Sequence, residues 1–357
     1  MKSIMLFAES LRNRAGIERM TVELANMLSD VHNVSIVTIE TFNAGLCPYK
    51  VKENVKTLSL GSSFHKSMFS KGALNIGNIR KLRGIVLKER PDIMITVATP
   101  LVRISVPALR GLKIKNIAWE HFNLWAGSKI GSIYKMLAPW FVDKTVVLTE
   151  ADAKDYVAMK APHIQVIPNF TSMNSEGPSS CDNKVILAVG RHAPQKGFDM
   201  LIQAWAKTDA PGWTLRIVGS GADKQDNEKL AEDLGVANRI LFKDSTPHIV
   251  EEFRQSSCFV LSSRYEGLVL VLIEAKMMGL PCISFDCPNS PREIIHDGTD
   301  GWLVENGNVD KLAETLSARL SNHEALKEAG IMARKDALER YSPEAVMSLW
   351  ENLFDAI

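Results

Sequence analysis

Short apolar runs recur along this chain and alternate with helical patterns: IMLFA (4–8), VSIVTI (34–39), DIMITVA (92–98), KNIAW (115–119), KTVVLT (144–149) and IQVIP (164–168). Such alternation predicts a parallel sheet with helices on both faces. After Ile167 comes a stretch dense in Pro, Ser, Asn and Gly, and the pattern then restarts with VILAVG (185–190), TLRIVG (214–219), RILFKD (239–244), CFVLSS (258–263) and LPCISFD (280–286). The expected fold class is therefore α/β. Two doubly wound domains, 1–168 and 184–342, are joined by a linker at 169–183, and the carboxyl ends of their strands face a shared cleft. The stretch SPEAVMSLWENLF (342–354) predicts a terminal helix, with Ser342 at its N-cap, Pro343 in its first turn and an apolar face of Val346, Leu349, Trp350 and Leu353.

Bulk properties agree with that division. A chain of 357 residues, 46% hydrophobic and 23% charged, exceeds the size at which one core keeps growing. The N-terminal apolar run is too short for a secretory h-region, and no apolar stretch approaches the length of a membrane span, so a cytoplasmic, soluble or peripheral protein is expected. Cysteines 47, 181, 258, 282 and 287 form no CxxC pair, and no His cluster has zinc spacing. Neither a disulfide framework nor a structural metal is expected, and Cys258 and Cys282 are expected to fill strands. The near-neutral total hides an asymmetry: residues 1–175 carry 23 Lys and Arg against 13 Asp and Glu, and the remainder carries 19 against 28. A basic half attracts anionic lipid, phosphorylated acceptors or nucleic acid; equally, two domains of opposite charge attract one another.

Two stretches carry chemistry. In Ser262 to Lys276 a buried strand gives way to a polar turn and then to an apolar helix expected to start near Leu268. The amides of Gly267, Leu268 and Val269 are then free first-turn donors, which with the helix dipole suit a diphosphate. Glu266 precedes them in the loop. Glu274 lies eight residues later, about 12 Å along a helix axis, so one carboxylate can reach sugar hydroxyls and the other ribose hydroxyls. The neighbours of Glu274 are apolar nearly all round, an environment in which an idle carboxylate is costly. In the second stretch, VGRHAPQKGFD, a strand exits at Gly190 and a helix starts near Gly197. Arg191 and Lys196 flank the turn, two fixed cations suited to a diphosphate leaving group. His192 is expected at the surface. The Gly219-Ser-Gly221 turn lacks the GxGxxG spacing of a dinucleotide fold, and the Lys243 to Pro247 segment is placed to frame a base.

In order, GRxxxxKG (190–197), IVGSG (217–221), EGLVLVLIEA (266–275) and GLPCISFDCPNSPREII (279–295) resemble the retaining glycosyltransferases of family 4, in particular bacterial polysaccharide and lipopolysaccharide enzymes. The likeness is dense from Val185 to Val304. It implies a GT-B fold, two Rossmann-like domains facing across a cleft, with a C-terminal helix (343–357) returning to the N-terminal domain. It implies that the second domain holds the donor and the first the acceptor. Arg191 and Lys196 then hold the diphosphate, Glu274 the ribose, and Glu266 with the following amides the donor sugar and phosphates. The family's first-strand turn commonly has two glycines; here Ala15 stands in place of the first, and Gly16 remains to give close backbone approach. His121, in AWEHFN, matches a family histidine near the reacting sugar.

The resemblance further implies retention at the anomeric carbon by front-face attack, the departing phosphate helping to accept the acceptor's proton. No Asp-x-Asp sequence occurs, and the two cations with the helix amides can neutralise the leaving group without metal. No cofactor is expected beyond the substrate, a nucleotide diphosphate sugar of the UDP class. The expected acceptor is a lipid-linked glycan, because Lys66, Lys71, Arg80, Lys81, Arg83, Lys88 and Arg90 interleave with Phe64, Met68, Phe69 and Leu74, an amphipathic pattern suited to the inner face of an anionic membrane. No nucleic acid is expected as partner. Two rivals remain: a sugar-nucleotide 2-epimerase of related fold, and an inactive nucleotide-sugar-binding subunit.

Overall fold

The computed structural model describes residues 1–13, 15–62, 76–125, 129–173, 177–288 and 290–357. It divides into two compact units, Met1–Asn169 together with Val346–Ile357, and Phe170–Ala345. Of the basic and apolar residues proposed above for membrane contact, Phe64, Lys66, Met68, Phe69, Lys71 and Leu74 lie outside the described residues.

In the first unit seven strands pair in parallel: β1 (Ser3–Ala8), β2 (Asn33–Thr38), β3 (Lys56–Ser59), β4 (Ile93–Val97), β5 (Lys115–Trp119), β6 (Lys144–Val147) and β7 (Ile164–Val166), in the order β3-β2-β1-β4-β5-β6-β7. The centre is the most apolar part: every residue of β4 is buried, and Met5, Phe7 and Met94 pack against Leu82, Val86 and Ile104 of two covering helices. Strand β3, KTLS, has no fully buried residue and escaped the apolar-run criterion because it closes an edge, where one side of the strand meets solvent.

The second unit holds six parallel strands, β8 (Val185–Val189), β9 (Thr214–Val218), β10 (Ile240–Lys243), β11 (Cys258–Leu261), β12 (Cys282–Phe285) and β13 (Gly301–Val304), in the order β10-β9-β8-β11-β12-β13. Alternate residues feed two separate cores. Ile186, Cys258, Val260 and Ile283 pack with Leu201, Trp205 and Leu312 on one face. Leu187, Phe259, Leu261 and Cys282 pack with Leu272, Ile273 and Tyr341 on the other. A strand covered on both faces needs apolar residues at every position, which is why these segments read as unbroken runs. Short β13, GWLV, is the second edge that the sequence did not announce.

A buried charge cluster fixes the helix Leu270–Met277. Lys276, 0% exposed, donates from Nζ to Asp300 Oδ2 at 2.8 Å, to Asp336 Oδ2 and to the Ile294 carbonyl. His296 Nδ1 lies 3.0 Å from the same Asp300 oxygen. The ammonium thus joins that helix to the approach to β13 and to the helix His323–Tyr341.

The helix Pro343–Asp355 begins in the second unit and ends in the first. Within the first unit its buried Trp350 meets Trp119 edge-on at 5.5 Å, Glu351 lies 2.7 Å from His32 Nε2, and Lys2 Nζ donates to the Phe354 carbonyl at 2.7 Å. Among the described residues no helix is long and apolar enough to cross a membrane.

Candidate functional site

In the second sheet the strand order reverses between the neighbours β8 and β11, so the loops leaving their carboxyl ends flank the crevice where open α/β sheets hold ligands. Those are the two loops that the sequence marks. The first runs from Gly190 through a short turn, Pro194–Lys196, into the helix Phe198–Lys207; the second runs from Ser262 to Val269. They are stitched together. Arg264 N donates to the Gln195 carbonyl at 2.8 Å and Ser262 Oγ to the Lys196 carbonyl at 2.9 Å. The Arg264 guanidinium grips Asp199 with both nitrogens, at 2.9 and 2.7 Å, and donates to the Pro194 carbonyl at 2.7 Å. Gly197 has φ +63°, and a Cβ there would stand 2.2 Å from the Ser262 carbonyl oxygen, so only glycine permits this approach.

At the focus of the loops, Lys196 Nζ lies 2.6 Å from Glu266 Oε1, Ser263 Oγ donates to the same oxygen at 2.6 Å, and Gln195 Nε2 to Oε2 at 3.2 Å. Sequence distance separates the two expected ligands of diphosphate and sugar; the fold brings them into contact. The pair is only partly withdrawn from water, with side chains 16% and 9% exposed. Arg191 is exposed and makes no ion pair among the described residues, which leaves its fork available to a ligand. Gly190 donates its amide to Val218 at 3.1 Å, and a Cβ on Gly219 would fall 1.7 Å from the Gly190 carbonyl oxygen. The glycines of the GSG turn therefore serve close packing beneath the Arg191 loop.

Three expectations need correction. The helix starts at Leu270, not Leu268, because Val269 is held extended at the N-cap and donates its amide to Ser290 Oγ at 3.2 Å. Val269 is thus not a free donor, whereas the amides of Gly267 and Leu268 donate to no described acceptor. Glu274 sits one turn into the helix and is buried at 4% exposure. His192 is not at the surface. It is fully buried against Phe198 and Phe242, Nδ1 lies 3.0 Å from Asn227 Nδ2, and burial lowers its pKa.

In the first unit, Gly16 opens the helix Gly16–Leu28 and is exposed. Ala15 before it has φ −128° and ψ 167°, extended backbone open to any residue, so no glycine is needed there. His121 follows β5 and is 8% exposed. Its ring lies 4.2 Å from that of Trp119, Nε2 has no hydrogen-bond partner among the described residues, and burial drives its pKa down to about 3. It is a neutral imidazole at any ordinary pH. Beside it, Glu120 accepts from the amides of His121 and Phe122 at 3.0 Å and from the Thr99 hydroxyl. The peptide leading into Thr99 is strained: Ala98 adopts φ +70°, ψ 123°, a region that L-residues rarely occupy.

The sequence profile of Glycosyl transferases group 1 matches residues 171–336, and that of Glycosyltransferase Family 4 matches residues 14–174. The chain is also 30% identical to an uncharacterized glycosyltransferase of Haemophilus influenzae, over 99% of this chain and 100% of that one. The chain belongs to the family 4 glycosyltransferases. It is 28% identical, over 88% of each chain, to the Campylobacter jejuni GalNAc-alpha-(1->4)-GalNAc-alpha-(1->3)-diNAcBac-PP-undecaprenol alpha-1,4-N-acetyl-D-galactosaminyltransferase. Among solved structures, HepE of Anabaena in complex with UDP superposes with a TM-score of 0.82 at 17% identity, over 99% of this chain and all of that one, which places the glycosyltransferase in the GT-B fold.

Several of its polar residues at the strand ends gave no sequence signal. Arg264 and Asp199 are 65 positions apart, and nothing local pairs them. Ser290-Pro291 reads as a start for its own short helix, yet Ser290 Oγ serves the helix Leu270–Met277 instead. Glu9, at the end of β1, has its pKa raised to about 7 by burial and by Glu40 and Glu18, against the pull of Arg103.

Proposed function

We propose that this glycosyltransferase moves a hexose or N-acetylhexosamine from a UDP-sugar to a lipid-linked glycan in cell-surface polysaccharide synthesis, with retention at the anomeric carbon and without metal. The observation that carries the donor half of the reading is the contact of Lys196 with Glu266 at the strand-order reversal, with exposed Arg191 on the same loop. A diphosphate arriving there meets two cations and two unused amides. The charge that develops on the leaving diphosphate is then met by groups already oriented, which lowers the barrier more than flexible charges in water would. Glu266, released from Lys196 as the ammonium turns to phosphate, is left facing sugar hydroxyls, and buried Glu274 is assigned to the ribose. His121, neutral and with Nε2 unpartnered among the described residues, suits a hydrogen bond to an uncharged hydroxyl rather than service as an acid.

Support for the donor class comes from the fold shared with HepE bound to UDP, and for the acceptor from the undecaprenol-linked substrate in the name of the C. jejuni relative. Incubation with a panel of nucleotide sugars and a polyprenyl diphosphate glycan, followed by linkage analysis, tests the reading. An α-linked product from an α-configured UDP-sugar, at a rate unchanged by EDTA, is expected. Conversion of the donor sugar without acceptor would establish the epimerase instead, and donor binding without any turnover the inactive subunit.

A further inference from the structure

Among the described residues, every exposed Trp and Phe falls between positions 122 and 141: Phe122, Trp125, Trp140 and Phe141. The helix Lys129–Leu137 runs through that stretch with its polarity reversed. Ile133 and Leu137, one turn apart, are 48% and 51% exposed, whereas Lys135 is 4% exposed. Its ammonium points inward, donating to the Asn123 carbonyl at 2.8 Å and lying 3.9 Å from Glu120. A helix facing water turns its apolar residues in and its charges out; this one does the opposite. The turn Ala138–Trp140 prolongs the stripe, so that Ile133, Leu137, Trp140 and Phe141 stand at i, i+4, i+7 and i+8.

Trp140 and Phe141 border a concavity of about 720 Å3 that is also lined by Lys115, Lys144 and His163. Lys115 also pairs with Asp143 at 3.2 Å, and Lys113 and Lys160 are exposed close by in sequence. From 110 to 160 the chain has eight Lys and Arg against five Asp and Glu. Two of the five, Glu120 and Asp152, are buried, as is Lys135 of the eight. The helix Ile76–Glu89 is a poorer candidate for lipid contact, because Lys81 donates to the Leu60 carbonyl at 2.9 Å and Arg83 to the Ala108 and Arg110 carbonyls at 2.8 and 2.9 Å.

We propose that the face built by Ile133, Leu137, Trp140 and Phe141, with Lys115 and Lys144 beside it, docks on an anionic lipid bilayer. Aliphatic side chains enter the acyl boundary, Trp and Phe rest at headgroup depth, and the lysines meet lipid phosphate. The lipid-linked acceptor reading supplies the purpose of this face, but docking is measurable on vesicles that carry no acceptor.

The full chain is expected to co-sediment with mixed phosphatidylglycerol and phosphatidylcholine vesicles, less at high salt, and to ignore phosphatidylcholine alone. The paired substitution Leu137→Glu, Phe141→Glu should weaken binding at least about tenfold with an unchanged circular dichroism spectrum and melting temperature. Quenching by brominated phospholipid should fall in Trp140→Phe, and the paired substitution Lys115→Glu, Lys144→Glu should flatten the salt dependence. Wild-type binding by a well-folded Leu137→Glu, Phe141→Glu variant overturns the proposal, as does absence of wild-type binding. So does a dimer in sedimentation velocity that the same pair dissolves without any vesicle binding by the wild type, since the face would then belong to a second copy. Vesicle binding that persists while no polyprenyl-linked acceptor is used would remove the acceptor reading and leave the docking face standing.

Discussion

The strand ends of the two units solve different problems with polar side chains. In the second unit, Lys196, Glu266, Ser263 and Gln195 form a hydrogen-bonded group within reach of water, and exposed Arg191 on the same loop makes no ion pair among the described residues. In the first, His121 is sealed against Trp119 and stripped of charge, and Glu120 is saturated by backbone amides and Thr99. The former arrangement leaves its charges exchangeable; the latter keeps a neutral imidazole edge that takes a proton only far below ordinary pH. Under the proposed reaction, this division would meet a leaving diphosphate with charge and sugar hydroxyls with a neutral partner.

The largest effect is expected in the support beneath the charged loops. Lys276→Met leaves buried Asp300 without its lysine, while half-buried Asp336 keeps Arg340 at 3.3 Å, and the expected loss is about 3–5 kcal/mol of unfolding free energy in denaturant titration. A smaller loss would mean that the apolar packing of the helix Leu270–Met277 suffices by itself. Next, Lys196→Ala is expected to lower kcat about 10²–10³-fold, or roughly 2.7–4 kcal/mol, beyond whatever stability is lost by leaving Glu266 without its cation. Equal loss from removing His121 would erase the assigned difference between the two strand-end regions.

The neutral histidine makes its own prediction in pH. With a folded pKa of about 3 against an ordinary 6.5, the unfolded chain takes up a proton in that window and the folded chain does not, so stability is full above 6.5 and declines as pH falls towards 3. His121→Asn removes this component. Its unfolding free energy should fall less steeply with acid than that of the wild type, the gap reaching roughly 2–3 kcal/mol by about pH 4.5. Parallel curves would mean that His121 is solvated. The mildest test concerns alignment. Arg264→Lys cannot hold Asp199 with two parallel bonds, and a loss of about tenfold in kcat is expected, with the fold intact by circular dichroism. An unchanged kcat would show that backbone contacts alone align the two loops.

How legible these features were depended on where their partners lie along the chain. Central strands were visible because burial on both faces demands an unbroken apolar run, as in β4 and β8; β3 was not, because an edge relaxes that demand, and four-residue β13, although apolar, was not announced either. Gly190, Arg191 and Lys196 lie on one short loop, and Glu266 to Glu274 on another, so both stood out as residue types at a fixed spacing. Lys276 did not, since its meaning resides in Asp300 and Asp336, which approach only when three elements pack.

The sequence by itself determined the parallel α/β layering, the restart of the pattern after residue 183 and the position of both charged turns, because strand burial and strand-to-helix crossovers are written in local composition. Only the tertiary structure decided that Lys196 touches Glu266, that Val269 yields its amide to Ser290, that His192 is interior and that Lys135 points inward while Leu137 points out. Each of those facts depends on which atom a distant segment delivers, and in a close-packed interior that is fixed by the fit of whole elements rather than by the neighbours of any one residue.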